Sequence, residues 1–222
     1  MTNTTFSVAM AITAGLLFSQ NGSPQGTVTY VSNLGQPSSG AVSVGNDSWF
    51  AANFITGTNA AGYLLNSVQL QMADASGTPN GFSVTIYSSV GGAGIFPGSG
   101  LGGLAGAADP TTAGVYTYTP GSSLTLSANT VYFVVVTAGS TVGDGAYEWS
   151  VTGSPTTGYN SYHWGGELFF AQSVNGSSWS YTSSTYGLYS LDATPAPEPG
   201  AVGLMVVGGL VVGWRRWKAR SV

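Results

Sequence analysis

Val131-Tyr132-Phe133-Val134-Val135-Val136 is an unbroken run of β-branched and aromatic residues. Such residues fit a pleated, buried surface, and a run without polar alternation reads as a central strand covered on both faces. Outward from it the period is two. Thr27 to Val31 alternates around Val28 and Tyr30. Phe82, Val84 and Ile86 share one face, as do Tyr116 and Tyr118 within Val115 to Thr119. Leu65 to Met72 is read with Leu65, Ser67, Gln69 and Gln71 on one side and Val68, Leu70 and Met72 on the other. Alternation of this kind marks half-buried strands. Further strands are expected at Tyr147 to Val151, Leu168 to Ala171, Trp179 to Thr182 and Gly187 to Leu191.

Turn signals separate these runs: Thr78-Pro79-Asn80-Gly81, Phe96-Pro97-Gly98, Asp109-Pro110, Pro120-Gly121 and Val174-Asn175-Gly176. Many short strands with Gly and Pro punctuation, and no helical period in the body, predict an all-β antiparallel β-sandwich of jelly-roll type. Gly91 to Gly106 is so rich in glycine that it reads as a long loop, and no G-K-[ST] follows to make it a phosphate cradle.

Charge is segregated completely. All four Lys and Arg residues, Arg215, Arg216, Lys218 and Arg220, follow the eight Asp and Glu residues in the chain. A body without a single cation can build no basic patch, which excludes nucleic acid and other polyanions as partners. Charged residues make up 5% of the chain, against about 25% in an average soluble domain. Solubility must therefore come from Ser, Thr, Asn and Gly. With no cysteine, the fold is held by burial and backbone pairing alone.

The cationic end follows the apolar run Gly200 to Trp214. As a helix that run spans roughly 22 Å, against about 30 Å of hydrocarbon, so it crosses with local thinning and snorkelling of the flanking Arg side chains. Cations held on the cytoplasmic side place the body outside. Four glycines, Gly203, Gly208, Gly209 and Gly213, argue against a buried soluble helix. Pro197-Glu198-Pro199, the apolar helix and the Arg cluster together resemble the PEP-CTERM sorting tail of Gram-negative bacteria. The resemblance implies an exosortase-type membrane protease as partner, cleavage near Pro197, Glu198 and Pro199, a transient anchor in the inner membrane, and delivery to the outer envelope, cell surface or extracellular matrix. At the other end, Phe6 to Phe18 is an apolar run of signal-peptide length. No Lys or Arg precedes it and no clean A-x-A follows, so a first strand or disordered leader stays open. The organisation expected is a signal peptide over 1–26, a β-sandwich over 27–193 and a sorting tail over 194–222.

Within the body, Phe54 to Val68, Ser83 to Ser88 and Leu124 to Val136 resemble the choice-of-anchor R domain, a β-rich extracellular module found with interchangeable sorting tails. The likeness covers most of Phe50 to Asp192 and is weaker after Gly153. It implies an exported surface module with no known reaction, and no catalytic residues are carried over.

Candidates for chemistry are few. His163 has no Cys or second His for a metal site, and no acid and serine can be placed beside it, so a strand residue is the simpler reading. Glu148 and Glu167 offer the two carboxylates of a glycosidase, but Glu148 alternates with Tyr147 and Trp149 and points away from their face. Asp47 and Asp144 sit in loops suited to calcium, without the D-x-D-x-D-G spacing. Catalytic residues, metal and cofactor are all expected to be absent. The aromatic group Tyr159, Tyr162, Trp164, Trp179, Tyr181, Tyr186 and Tyr189 has two readings: cross-strand pairing and core, or stacking on sugar rings, for which Trp164, Trp179, Tyr162 and Tyr181 are the candidates. An exported surface or exopolysaccharide-matrix protein is the first expectation. A carbohydrate-binding module comes next, and a glycan-active enzyme is the remote third.

Overall fold

The structure is a computed structural model that describes residues 26–91, 96–154, 164–165, 170–182 and 184–197. The expected signal peptide and the expected sorting helix with its basic end lie outside these residues.

Among the described residues there are fourteen strands and no helix. In chain order they are β1 (Val28–Ser32), β2 (Gly40–Val44), β3 (Trp49–Ile55), β4 (Tyr63–Gly77), β5 (Ser83–Val90), β6 (Phe96–Gly106), β7 (Gly114–Pro120), β8 (Thr125–Leu126), β9 (Val131–Thr137), β10 (Gly145–Thr152), β11 (Phe170–Ser173), β12 (Trp179–Thr182), β13 (Tyr186–Gly187) and β14 (Tyr189–Pro195). They form one continuous sheet in the order β1-β14-β4-β7-β6-β5-β9-β3-β11-β12, with β10 joining β2, β4 and β13. The pairs are antiparallel throughout, as the composition of short strands and tight turns predicts.

The sheet curls until its ends face each other across one core, giving a β-sandwich-like body. Tyr189 on β14 reaches over to donate its hydroxyl to the Asn53 carbonyl of β3 at 3.0 Å. Trp149 on β10 meets Phe170 on β11 edge to face at 5.3 Å. β9 lies between β3 and β5, and both its faces are covered. Tyr132, Val134 and Val136 point into the main core, while Phe133 and Val135 join Ala51 and Ala171 in a smaller cluster on the outer side.

Three departures from the sequence reading have physical causes. Leu65 was expected beside Ser67 and Gln69, yet it is buried with Val68. The register of β14 on β4 jumps from Asp192↔Ser67 to Ala193↔Leu65, so Asn66 is an extra residue that resets the phase. Second, Phe96–Gly106 is a strand, not a loop, and Phe96-Pro97-Gly98 is no turn but its beginning. Its glycines hide the period while making room for neighbours. A Cβ on Gly106 would stand 2.6 Å from the Tyr118 ring, and one on Gly98 would stand 2.6 Å from Val90. Third, β3 was not expected at all, although five of its seven residues are buried. Two alanines and Asn53 dilute its β-propensity, and the strand is made by pairing with β9 and β11.

Candidate functional site

The aromatic group divides sharply once placed on the sheet. Trp164 is fully buried. Tyr30 stacks on it at 4.5 Å, Phe54 lies parallel at 6.0 Å, and Tyr63 meets it edge-on at 4.8 Å. With Tyr30, Phe54 and Tyr63 packed around it, Trp164 is part of the core and shows no exposed ring face. Tyr189 is likewise core. Tyr159, Tyr162 and His163 lie outside the described residues, as does Glu167.

Trp179 and Tyr181 stand apart, on the outer face of the sheet at the β12 edge. Cross-strand register puts Trp49, Ser173 and Trp179 in one row and Ala51, Ala171 and Tyr181 in the next. Small residues between aromatic ones leave a shallow step. Tyr181 is 40% exposed, and Phe96 stacks on one of its faces at 4.7 Å. Phe96 begins β6, which is five strand positions from β12 through the sheet, or about 24 Å at about 4.8 Å per strand. The ring contact therefore brings the β5–β6 hairpin and the β12 edge together over the outer cluster. Register shifts on either side of Tyr87 supply the bend.

The turn between β11 and β12 is tightly held. Asn175 Oδ1 accepts from the backbone of Ser177 and Ser178 at 2.9 and 3.0 Å, and Ser173 Oγ accepts from Gly176 at 2.9 Å. Gly176 has φ +71° and lies under Trp49, where a Cβ would come within 2.7 Å of the indole. Trp49 is fixed in turn by its Nε1 donating to Asn46 O at 2.8 Å. Beside this turn is an open cavity of about 410 Å³ lined by Gln172, Ser173, Val174, Ser178, Trp179 and Ser180. Its lining combines hydroxyls, one amide and an indole, with no charge. Trp49 and Phe96 were missed from sequence because only the register and the curl bring them to β12.

The acids hold loops and strands together. Glu148 Oε1 accepts from Ser43 Oγ at 2.8 Å and Ser76 Oγ at 3.4 Å, and among the described residues no second carboxylate joins that network. Asp47 accepts from the Val142 backbone at 2.9 Å, and Asp144 from Thr141 Oγ1 at 2.8 Å. Among the described residues no three His, Asp or Glu side chains gather as metal ligands. Tyr147 donates to Asp109 Oδ2 at 2.9 Å. Burial, then that bond and the Asp109 charge, push its phenol up from 10.0 to about 12; burial and the same carboxylate raise Tyr118 as well. Folded-state values above the unfolded one mean stability that is whole below pH 10 and lost as pH rises from 10 toward about 12. A phenolate-absorbance titration should show tyrosines ionising late, with unfolding in step. Changing Asp109 to Asn should bring Tyr147 ionisation to lower pH.

At the other end of the body the chain is pinned up to the start of Pro197-Glu198-Pro199. Ala196 N donates to Gly62 O at 2.9 Å, and Asn59 Nδ2 donates to Ala196 O at 2.9 Å. Pro197 follows, exposed. Glu198, Pro199, Arg215, Arg216, Lys218 and Arg220 lie outside the described residues.

The fold defines an all-β, antiparallel, sandwich-like protein. No known family, curated protein or solved structure matches this chain.

Proposed function

We propose that this is an exported, non-enzymatic β-sandwich of jelly-roll type, delivered to the envelope by a PEP-CTERM tail and released near Pro197-Glu198-Pro199 by an exosortase-type protease. The carrying observation is charge: every Lys and Arg follows the apolar run Gly200 to Trp214, and no cation precedes it. The described fold supports this reading, because strand pairing through Pro195 and the hydrogen bonds of Ala196 carry the folded body up to the motif. A protease acting there would cut beside a closed domain. Prolines on both sides of Glu198 keep that backbone out of regular helix. The body then serves at the surface or in an exopolysaccharide matrix. The test is whether protein recovered from the surface has lost its basic end.

A second reading, a carbohydrate-binding module, is favoured by the neutral cavity beside Trp179. Hydroxyls and an amide match sugar hydroxyls, and an indole matches the apolar face of a pyranose ring. Under this reading Trp179→Ala removes retention on the cognate polysaccharide in affinity electrophoresis while the thermal transition moves by only a few degrees. Unchanged retention on every polysaccharide that slows the wild type would remove this reading.

A further inference from the structure

We infer that, in the membrane-inserted precursor, the body stands upright with the end formed by the Thr58–Ala61 turn and the Ser127–Asn129 turn resting on the lipid headgroups. This inference depends on the proposed membrane tail and adds to it the face that the body turns to the bilayer.

Both chain ends leave the body at this pole. β14 runs toward it, with Pro195 opposite Tyr63, the first residue of β4. β1 begins there, with Val28 opposite Ala193 and Thr27 Oγ1 accepting from Asn66 Nδ2 at 3.0 Å. The described chain therefore both begins and ends at this pole. Between the pinned Ala196 and Gly200 lie three residues, and four Cα steps reach at most about 14 Å. Such a tether holds the pole close to the bilayer surface.

The acids among the described residues favour that pose; Glu167 and Glu198 lie outside the described residues. β4 runs the length of the body from Tyr63 to Gly77, about 45 Å at about 3.3 Å per residue. Of the six acids among the described residues, five belong to its far half. Glu148 pairs with Ala73. Asp74 lies in the strand and accepts from Ala113 N. Asp109 is bonded to Tyr147, and Asp47 and Asp144 hold the loop that leads to Gly145, the partner of Gly77. The sixth, Asp192, pairs with Ser67 and is occupied by Thr29 and Ser67 hydroxyls. The described residues of the near pole are uncharged and expose Thr58, Ala60, Thr125, Ser127 and Asn129. Anionic headgroups give a membrane surface a negative potential that decays over about 8–10 Å. Standing upright keeps five carboxylates roughly 30 Å or more from that surface. Lying flat would press uncompensated carboxylates against it, since the body has no cation to offset them.

The absence of cysteine makes the test clean. Single-cysteine variants of the full chain, Ala60→Cys at the near pole and Thr78→Cys at the far pole, are exposed positions that can each carry a fluorophore. They are reconstituted into phosphatidylethanolamine and phosphatidylglycerol vesicles containing a nitroxide-headgroup lipid. Quenching several-fold stronger at position 60 than at 78 is expected. Equal quenching, or none at either position in protein that resists carbonate extraction, overturns the upright pose alone. Protein extracted by carbonate overturns the membrane tail and the pose together.

Discussion

Replacing Trp164 with alanine should cost about 3–5 kcal/mol of folding stability, the range for emptying a large aromatic site in a core. The ring fills a slot walled by Tyr30, Phe54 and Tyr63, which belong to β1, β3 and β4, so no single strand can move in to close the gap. Trp149→Ala should cost about as much, since Trp149 is also fully buried and loses in addition a 3.0 Å bond from its Nε1 to Leu188 O. Against a total of about 5–15 kcal/mol for an ordinary domain, either change leaves little margin. Urea denaturation should show a much lower midpoint with an unchanged slope. A Trp164→Ala protein as stable as the wild type would mean that this ring is not a core element.

The second large effect is all or none. No Lys or Arg occurs from Met1 to Trp214, so trypsin should leave the body uncut whether folded or unfolded. Resistance there is chemical. A broad-specificity protease should degrade the urea-unfolded chain completely yet leave the folded body as a core ending near Ala196, which makes the last backbone bonds among the described residues. Within that core the first nick is expected at exposed Gly91, φ +93°, and not within Phe96–Gly106, whose backbone is paired with β5 and β7. Immediate digestion of the untreated protein, with no fragment spanning roughly Thr27 to Ala196, would contradict a single cooperative sheet.

The all-β class and its central strand were legible because side-chain periodicity is a local property. Val131 to Val136 announces burial on both faces, and the structure places it between two strands with both faces covered. What escaped was set by partners distant in sequence. β3 is a strand because β9 and β11 flank it, and the glycines of β6 have their cause in the Val90 and Tyr118 side chains laid against them. The aromatic cluster shows the same limit at the level of a site. Trp164 and Trp179 look alike in sequence, as aromatics in strand-like surroundings. Only the curl of the sheet separates a residue enclosed by three rings from one beside an open cavity. Charge segregation needed no such context, and so the proposed sorting tail could be read from the chain alone.

The central claim is tested most directly by the intact mass of the protein recovered from the cell surface. The account predicts a C-terminus near Pro197-Glu198-Pro199, with the segment from Gly200 through Arg215, Arg216, Lys218 and Arg220 missing. A surface form that still carries Arg215 to Val222 would contradict release from the tail and make this chain a permanently anchored protein.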